Sequence, residues 1–314
     1  MDGLIAALVS LVGSVLLTPV VRSIALRLDI VDRPGELKPQ RVPVAYLGGV
    51  AVLLATLIGP LISQRAWVLL PMVLALGLGL ADDVRPLAVP LRVGVEIGIA
   101  TVAALVVPGT GLTRVVTALL VVGLLNAVNL LDGQDGLAAG VGAVIAIGFS
   151  FLGGAATPIG LGLAGALLGF LVLNRPPARI YLGDAGAYLV GTSIALLPAL
   201  SRHSTTRWSL WWAVPLLVAM PIADTTIAIA RRLQARRPLL SGDRSHVYDQ
   251  LVDRGTSVGR STLLCVGAQL VFTTIGLAAT QASPVAALAI TVLVALAAGV
   301  VAWRAGLLTV ARGS

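Results

Sequence analysis

The sequence predicts an all-α, polytopic integral membrane protein whose working groups lie on one side of the bilayer. The 314 residues are 57% hydrophobic and only 11% charged, with a mean hydropathy of +0.98, far from the roughly 25% charged residues of a soluble domain. Apolar stretches recur along the whole chain. Basic residues, and independently the acidic ones, sort between the intervening loops.

The apolar runs fall at about 3 to 21, 45 to 62, 66 to 81, 93 to 107, 115 to 131, 137 to 153, 158 to 173, 185 to 200, 208 to 230, 261 to 280 and 285 to 303. Most approach the ~20 residues that cross ~30 Å of hydrocarbon. Eleven helices are expected, or ten if one of the shorter runs, such as 93 to 107, does not cross. Met1-Asp2-Gly3 carries no basic leader and no cleavage site follows, so the first run is expected to be a retained helix. Lys and Arg in short loops stay in the cytoplasm. With the N-terminus outside, only Arg65, Arg114, Arg202 and Arg207 of the 22 basic residues lie outside. Of the 14 acids, which were not used to orient the chain, only Asp2 falls there.

Nothing divides residues 1–314 into a soluble and a membrane domain; a single transmembrane domain is expected. External connections such as Pro108-Gly-Thr-Gly111 are short, whereas the long polar segments 22 to 44 and 231 to 260 are cytoplasmic. The net charge of +8 comes mostly from membrane-flanking loops, the ordinary topogenic pattern, so no nucleic-acid partner is expected. Cys265 is the only cysteine, which excludes an internal disulfide and a cysteine metal cluster; it reads as a packing residue. Many of the 35 glycines suit close helix packing in lipid.

Three short acidic patterns stand at the ends of apolar runs. Asp82 and Asp83 close the third run; neighbours on a regular helix point about 100° apart, so both address one site only where the helix ends, and Pro86 supports that ending. In Asn126-Ala-Val-Asn129-Leu-Leu-Asp132-Gly-Gln-Asp135-Gly136, two asparagines one turn apart precede two carboxylates bordered by glycines. Such oxygen ligands suit Mg²⁺, which takes one or two carboxylates with water and phosphates, and the spacing is not that of an EF-hand. Asp184 sits among small residues in Tyr181-Leu-Gly-Asp-Ala-Gly186, where a phosphate or metal has close access. Asp224, about two turns before Arg231, reads as a buried carboxylate paired with an arginine, or as a catalytic group. In the loop after the ninth run, clustered arginines suit diphosphate, Tyr248 offers a ring for a base to stack on, and His246 reads as a hydrogen-bonding residue.

Together and in this order, from Asp32 to Arg254, these segments resemble the polyprenyl-phosphate N-acetylhexosamine-1-phosphate transferase family. The middle run is its most specific motif. The resemblance implies transfer of a sugar-1-phosphate, GlcNAc-1-phosphate first among them, from a UDP-N-acetylhexosamine to undecaprenyl or decaprenyl phosphate in a bacterial inner membrane, with UMP as co-product. It implies Mg²⁺, or Mn²⁺ in its place, with Asp184 and Asp132 as metal ligands. Asp82, Asp83, Asp132 and Asp135 are the implied catalytic residues, and Lys38, Asn126, Asn129, Arg244 and His246 the substrate-binding ones. A homodimer in the membrane is left open. The chain departs from the family's pattern in the last large cytoplasmic loop, where two or three clustered histidines are usual and His246 is followed by Tyr248 and Asp249, at Gln40, near where a histidine often follows the lysine, at Ala45, near a usual proline, and at Ala187, near a usual serine. This leaves the sugar open and leaves room for an inactive or specialised paralogue. The alternatives are a noncatalytic lipid-binding paralogue and a secondary transporter, the latter predicting midplane acids and inverted repeats.

Overall fold

The computed structural model describes residues 1–33, 43–202, 207–236 and 246–308. Within them every apolar run is helical, and the only sheet is a two-residue antiparallel pairing of β1 (Val31–Asp32) with β2 (Val44–Ala45). The helices are α1 (Asp2–Arg27), α2 (Gly48–Thr56), α3 (Ile58–Ile62), α4 (Leu69–Val84), α5 (Val89–Val106), α6 (Gly111–Leu131), α7 (Leu137–Ser150), α8 (Ala156–Asn174) and α9 (Gly183–Leu200). They continue as α10 (Trp208–Leu217), α11 (Ala219–Gln234), the short α12 (Val247–Asp253), α13 (Val258–Thr280) and α14 (Pro284–Arg304).

Local sequence explains several boundaries. Arg85 turns extended ahead of Pro86 and ends α4, since proline disfavours a helical residue before it. Thr110 caps α6 by accepting the Thr113 N–H at 3.4 Å, and Ser283 caps α14 by accepting the Ala286 N–H at 3.3 Å, with Pro284 following where its missing N–H costs nothing.

Eight of these helical segments are long and apolar enough to cross a bilayer, or nine when the bent pair α10–α11 counts as one. The eleven apolar runs therefore do not give eleven full-length spans. Gly48–Ile62, broken between α2 and α3, and α7 are shorter. Both are packed among other helices, so protein rather than lipid meets much of their surface. The central helix is α9, 94% buried, against 22% for α5 and 17% for α14. Those two turn residues such as Leu105 and Leu296 outward, where hydrocarbon is the natural solvent. Between α1 and α8 the backbones nearly touch: a Cβ on Gly165 would stand 2.2 Å from the Ala7 carbonyl oxygen.

The α10–α11 pair bends by 64°, and its cause is readable atom by atom. Pro221 has no N–H to give the Leu217 carbonyl one turn back. Gln269 of α13, wholly buried, fills the break: its Nε2 donates to Leu217 O at 2.9 Å and its Oε1 accepts from Met220 N at 2.8 Å. Broken backbone is tolerated in a membrane only where such partners exist. Gln269→Leu is expected to strand both groups, cost about 3 kcal/mol, and lower the thermal unfolding midpoint in detergent; an unchanged midpoint would show that the bend does not depend on this amide.

Near the N-terminal end of α9, the strand segment joins the bundle. Ala45 O accepts from Tyr181 N at 2.8 Å, and Gly48 N and Gly49 N donate to Tyr181 O and Leu182 O, each at 3.1 Å. This lays the stretch after β2 against the start of α9.

Candidate active site

Four carboxylates from three separate stretches meet at the start of α9. A helix N-terminus leaves backbone N–H groups without intrahelical partners and carries a partial positive charge. Here those donors are taken by distant side chains. Asp83, at the end of α4, accepts Asp184 N at 3.0 Å and Ala185 N at 3.1 Å, one on each oxygen. Asp132, just beyond α6, accepts the Gly183 N–H. Asp184, whose own side chain is thus released from capping, lies within hydrogen-bonding reach of Asp82.

Asp82 is the most heavily engaged. Leu87 N donates to its Oδ1 at 2.7 Å, the Tyr188 hydroxyl donates to Oδ2 at 3.3 Å, and Arg92 Nη1 stands 3.5 Å from the same oxygen. Asp132 is pushed well above the usual carboxylate range, first by burial and then by the charges of Asp184, Asp83 and Asp135. Burial also raises Asp135, partly offset by the Ala178 N–H that donates to it at 2.9 Å. Through that bond Asp135 holds the connection between α8 and α9 against the α6–α7 turn, so at least half of its carboxylate is spent on structure.

The two asparagines of the motif part company. Asn126 Nδ2 donates to Glu96 Oε2 at 2.7 Å and to Val122 O at 3.0 Å, so both its amide hydrogens are engaged inside the bundle. Asn129, partly exposed, makes no side-chain hydrogen bond among the described residues. Lys38 and Arg244 lie outside the described residues.

Asp224 is fully buried, as its sequence context suggested, with a partner that spacing along α11 does not reveal. His246 Nδ1 lies 2.7 Å from Asp224 Oδ2, and Val247 N donates to Oδ1 at 2.7 Å. The expectation that Tyr248 offers its ring to a nucleotide base is overturned. That ring is 3% exposed, lies parallel to His246 with centroids 5.4 Å apart, and its hydroxyl donates to Leu130 O at 3.0 Å. His246 is thereby tied both to α11 and to the Asp132 turn. Asp224→Ala is expected to remove the carboxylate acceptor of the Val247 N–H and the ion-pair partner of His246 and to cost about 3 kcal/mol or more, read as a lowered unfolding midpoint.

Sequence reasoning singled out neither Arg92, Glu96 and Tyr188 nor Tyr46. Glu96 carried a usable signal, an ionisable residue inside an apolar run. Tyr46 and Tyr181 flank the carboxylates with ring centroids 6.1 Å apart. Burial and then Asp32 push the Tyr46 phenol up, and burial followed by Asp135, Asp32 and Asp132 pushes Tyr181 up to about 12. Both phenols stay protonated and keep a hydrogen to donate.

Among the described residues no three Asp, Glu, His or Cys side chains converge closely enough to cage a metal by themselves. What the site does provide is a knot of carboxylates whose charges raise Asp132. One divalent cation, with water and phosphate as its remaining ligands, would relieve that repulsion, and Mg²⁺ is usually held in this way. A hollow of about 330 Å³ between Phe151, Arg202, Arg207 and Gln281 lies beyond the opposite end of α9 and is lined by none of the carboxylates.

A multi-pass helical bundle with a cluster of carboxylates at one end defines a class of membrane protein, and comparison with known proteins makes it specific. The model of glycosyl transferase family 4 matches residues 66–201. A Bacillus subtilis protein named "Probable undecaprenyl-phosphate N-acetylglucosaminyl 1-phosphate transferase" is 30% identical over 293 residues, covering 83% of this chain and 80% of that protein. The decaprenyl-phosphate N-acetylglucosaminephosphotransferase of Mycobacterium leprae is 29% identical over 317 residues, 83% of this chain and 79% of its own. A phospho-N-acetylmuramoyl-pentapeptide-transferase from Synechococcus is 46% identical over a shorter stretch of 102 residues, 30% of this chain and 27% of its own. The chain belongs to glycosyl transferase family 4.

Proposed function

We propose that this protein transfers N-acetylglucosamine-1-phosphate from UDP-N-acetylglucosamine to a polyprenyl phosphate, an early lipid-linked step in the synthesis of a cell-wall or surface polysaccharide. An oxygen of the lipid phosphate attacks the β-phosphorus of the donor, the bond from that phosphorus to the α–β bridging oxygen breaks, and UMP leaves. The observation that carries the reading is the meeting of Asp82, Asp83, Asp132 and Asp184 at one helix start in a chain that covers most of an N-acetylglucosaminyl 1-phosphate transferase relative.

Asp184 and Asp132 are the residues that would hold Mg²⁺, or Mn²⁺ in its place. The cation supplies charge neutralisation for the donor diphosphate and the leaving UMP. A lipid phosphate with a second pKa near 6 arrives largely ionised, so no side chain has to take its proton. This suits Asp82 and Asp83, whose lone pairs already accept backbone and hydroxyl donors; they position the start of α9 rather than act as free bases. Asn129, His246, Lys38 and Arg244 are the candidates to bind donor phosphates or nucleotide. The biased placement of basic residues supports a site on the cytoplasmic side with the N-terminus outside, and the proposed location is a bacterial plasma membrane.

The test is UMP release by purified protein in detergent, given polyprenyl phosphate, a panel of UDP-sugars, and Mg²⁺ added or chelated. Mg²⁺-dependent UMP with UDP-N-acetylglucosamine is the expected result. Silence across the panel from folded protein would overturn the reading, and release that persists through chelation would remove the metal from it.

A further inference from the structure

Glu96 is 1% exposed on α5, the helix whose other faces present Leu91, Val95, Ile97 and Leu105 outward. It lies seven residues into that helix, about 10 Å along its axis. Its two oxygens face two partners, one by a hydrogen bond and one by an ion pair. Oε2 accepts Asn126 Nδ2 at 2.7 Å, and Oε1 faces Arg92 Nε at 3.6 Å; neither Oε1 nor that Nε has any other partner. Arg92 in turn reaches Asp82 with Nη1 at 3.5 Å, beside the Tyr188 hydroxyl at 3.3 Å from the same oxygen. The chain Asn126, Glu96, Arg92, Asp82, Tyr188 therefore joins α6, α5, α4 and α9, and one of its members belongs to the carboxylate knot.

We propose that Glu96 is a positioning residue of the transfer site, holding the Arg92 guanidinium in the plane that presents it to Asp82. The inference rests on the transferase reading above. A single contact of 3.5 Å leaves a guanidinium able to rotate about its long stem, whereas the ion pair of its Nε side with Glu96 Oε1 at 3.6 Å, longer than a hydrogen bond, biases the planar fork electrostatically toward the orientation that faces Asp82. Asn126 keeps the Glu96 carboxylate from turning away, which accounts for the direction of this asparagine into the bundle. A buried carboxylate in a spanning helix is costly and is retained where it holds something. Because α5 is the wall most open to lipid among the helices of the site, the effect falls on turnover and on the lipid acceptor, and spares the nucleotide donor.

The experiment measures UMP release by the full chain in lipid nanodiscs, varying polyprenyl phosphate and UDP-N-acetylglucosamine separately. Glu96→Ala is expected to lower kcat by about tenfold or more, to raise KM for polyprenyl phosphate, and to leave KM for the donor within about twofold. Glu96→Gln, which keeps one acceptor, recovers part of the loss. The Arg92→Ala/Glu96→Ala double variant is no slower than Arg92→Ala alone, since residues acting as a unit are not additive. Full activity in Glu96→Ala, losses that multiply in the double variant, or a rise confined to the donor KM would each overturn the proposal. If Glu96→Ala does not fold, the same comparisons are made with Glu96→Gln. A silent wild type would sink the transferase reading and this role with it, whereas an active wild type with an unaffected Glu96→Ala sinks the positioning role alone.

Discussion

Asp184→Asn is expected to lower UMP release by about a thousandfold while leaving the unfolding midpoint nearly unchanged. The substitution keeps the shape of the side chain and removes its charge. Folding survives because the start of α9 is capped by other residues: Asp83 accepts Asp184 N and Ala185 N, and Asp132 accepts Gly183 N. Those backbone bonds do not involve the Asp184 carboxylate. For the same reason Asp184 is the better candidate for the proposed metal ligand, since Asp83 has both oxygens committed to N–H groups and Asp132 has one acceptor site committed. Removing one preorganised charge from a phosphoryl-transfer site costs about 10²–10³ in rate, and loss of the cation it is proposed to hold would add to that. A Mg²⁺ titration separates the contributions. If the variant recovers activity at raised Mg²⁺, the carboxylate binds the cation; if it turns over at the wild-type rate with an unshifted titration, Asp184 is not a ligand.

The carboxylate knot was legible in the chain because its parts recur as short patterns at the ends of apolar runs, and a bundle brings such ends together. Every apolar run proved helical for the same reason: in a bilayer the backbone must satisfy itself. The number of full spans was less legible. Residues 208 to 230 form one apolar run, and the prolines within it are visible, but the amide that stabilises the break comes from Gln269 on α13, about fifty positions away. Likewise the short α7 is apolar all round because protein encloses it, and apolarity alone does not distinguish protein from lipid as the surrounding medium.

Side-chain partners were the least legible part. Local spacing suggested Arg231 for Asp224, and the structure supplies His246 from beyond the next segment. Tyr248 looked like an open aromatic ring in a basic loop, yet its hydroxyl is drawn onto Leu130 O and its ring onto His246. Asn126 and Asn129 are indistinguishable as letters in a motif. Only the neighbour across α5 shows that one faces Glu96. Periodicity reports which face of a helix is buried, not which helix it is buried against.

The separation of α4 from α9 sets the geometry of the whole knot, and Gly79→Ala is expected to spoil it. A Cβ at Gly79 would stand 2.3 Å from Ala185 N, 2.4 Å from its Cα and 2.4 Å from the Asp184 carbonyl carbon. All three are backbone atoms, so no rotamer change can make room, and the two helices must part. Asp83, one turn further along α4, would then lose its bonds to Asp184 N and Ala185 N, which at 3.0 and 3.1 Å have little length to spare. Overpacking of this kind costs about 2–3 kcal/mol, and the rate should fall about a hundredfold because a displacement near 1 Å suffices for that. Gly77, on the same helix, has nothing within 4 Å of where its Cβ would be. Gly77→Ala should therefore change stability by no more than about 1 kcal/mol and leave UMP release intact. Equal behaviour of the two variants, by unfolding midpoint and by rate, would show that close approach at Gly79 does not hold Asp83 in register with the start of α9.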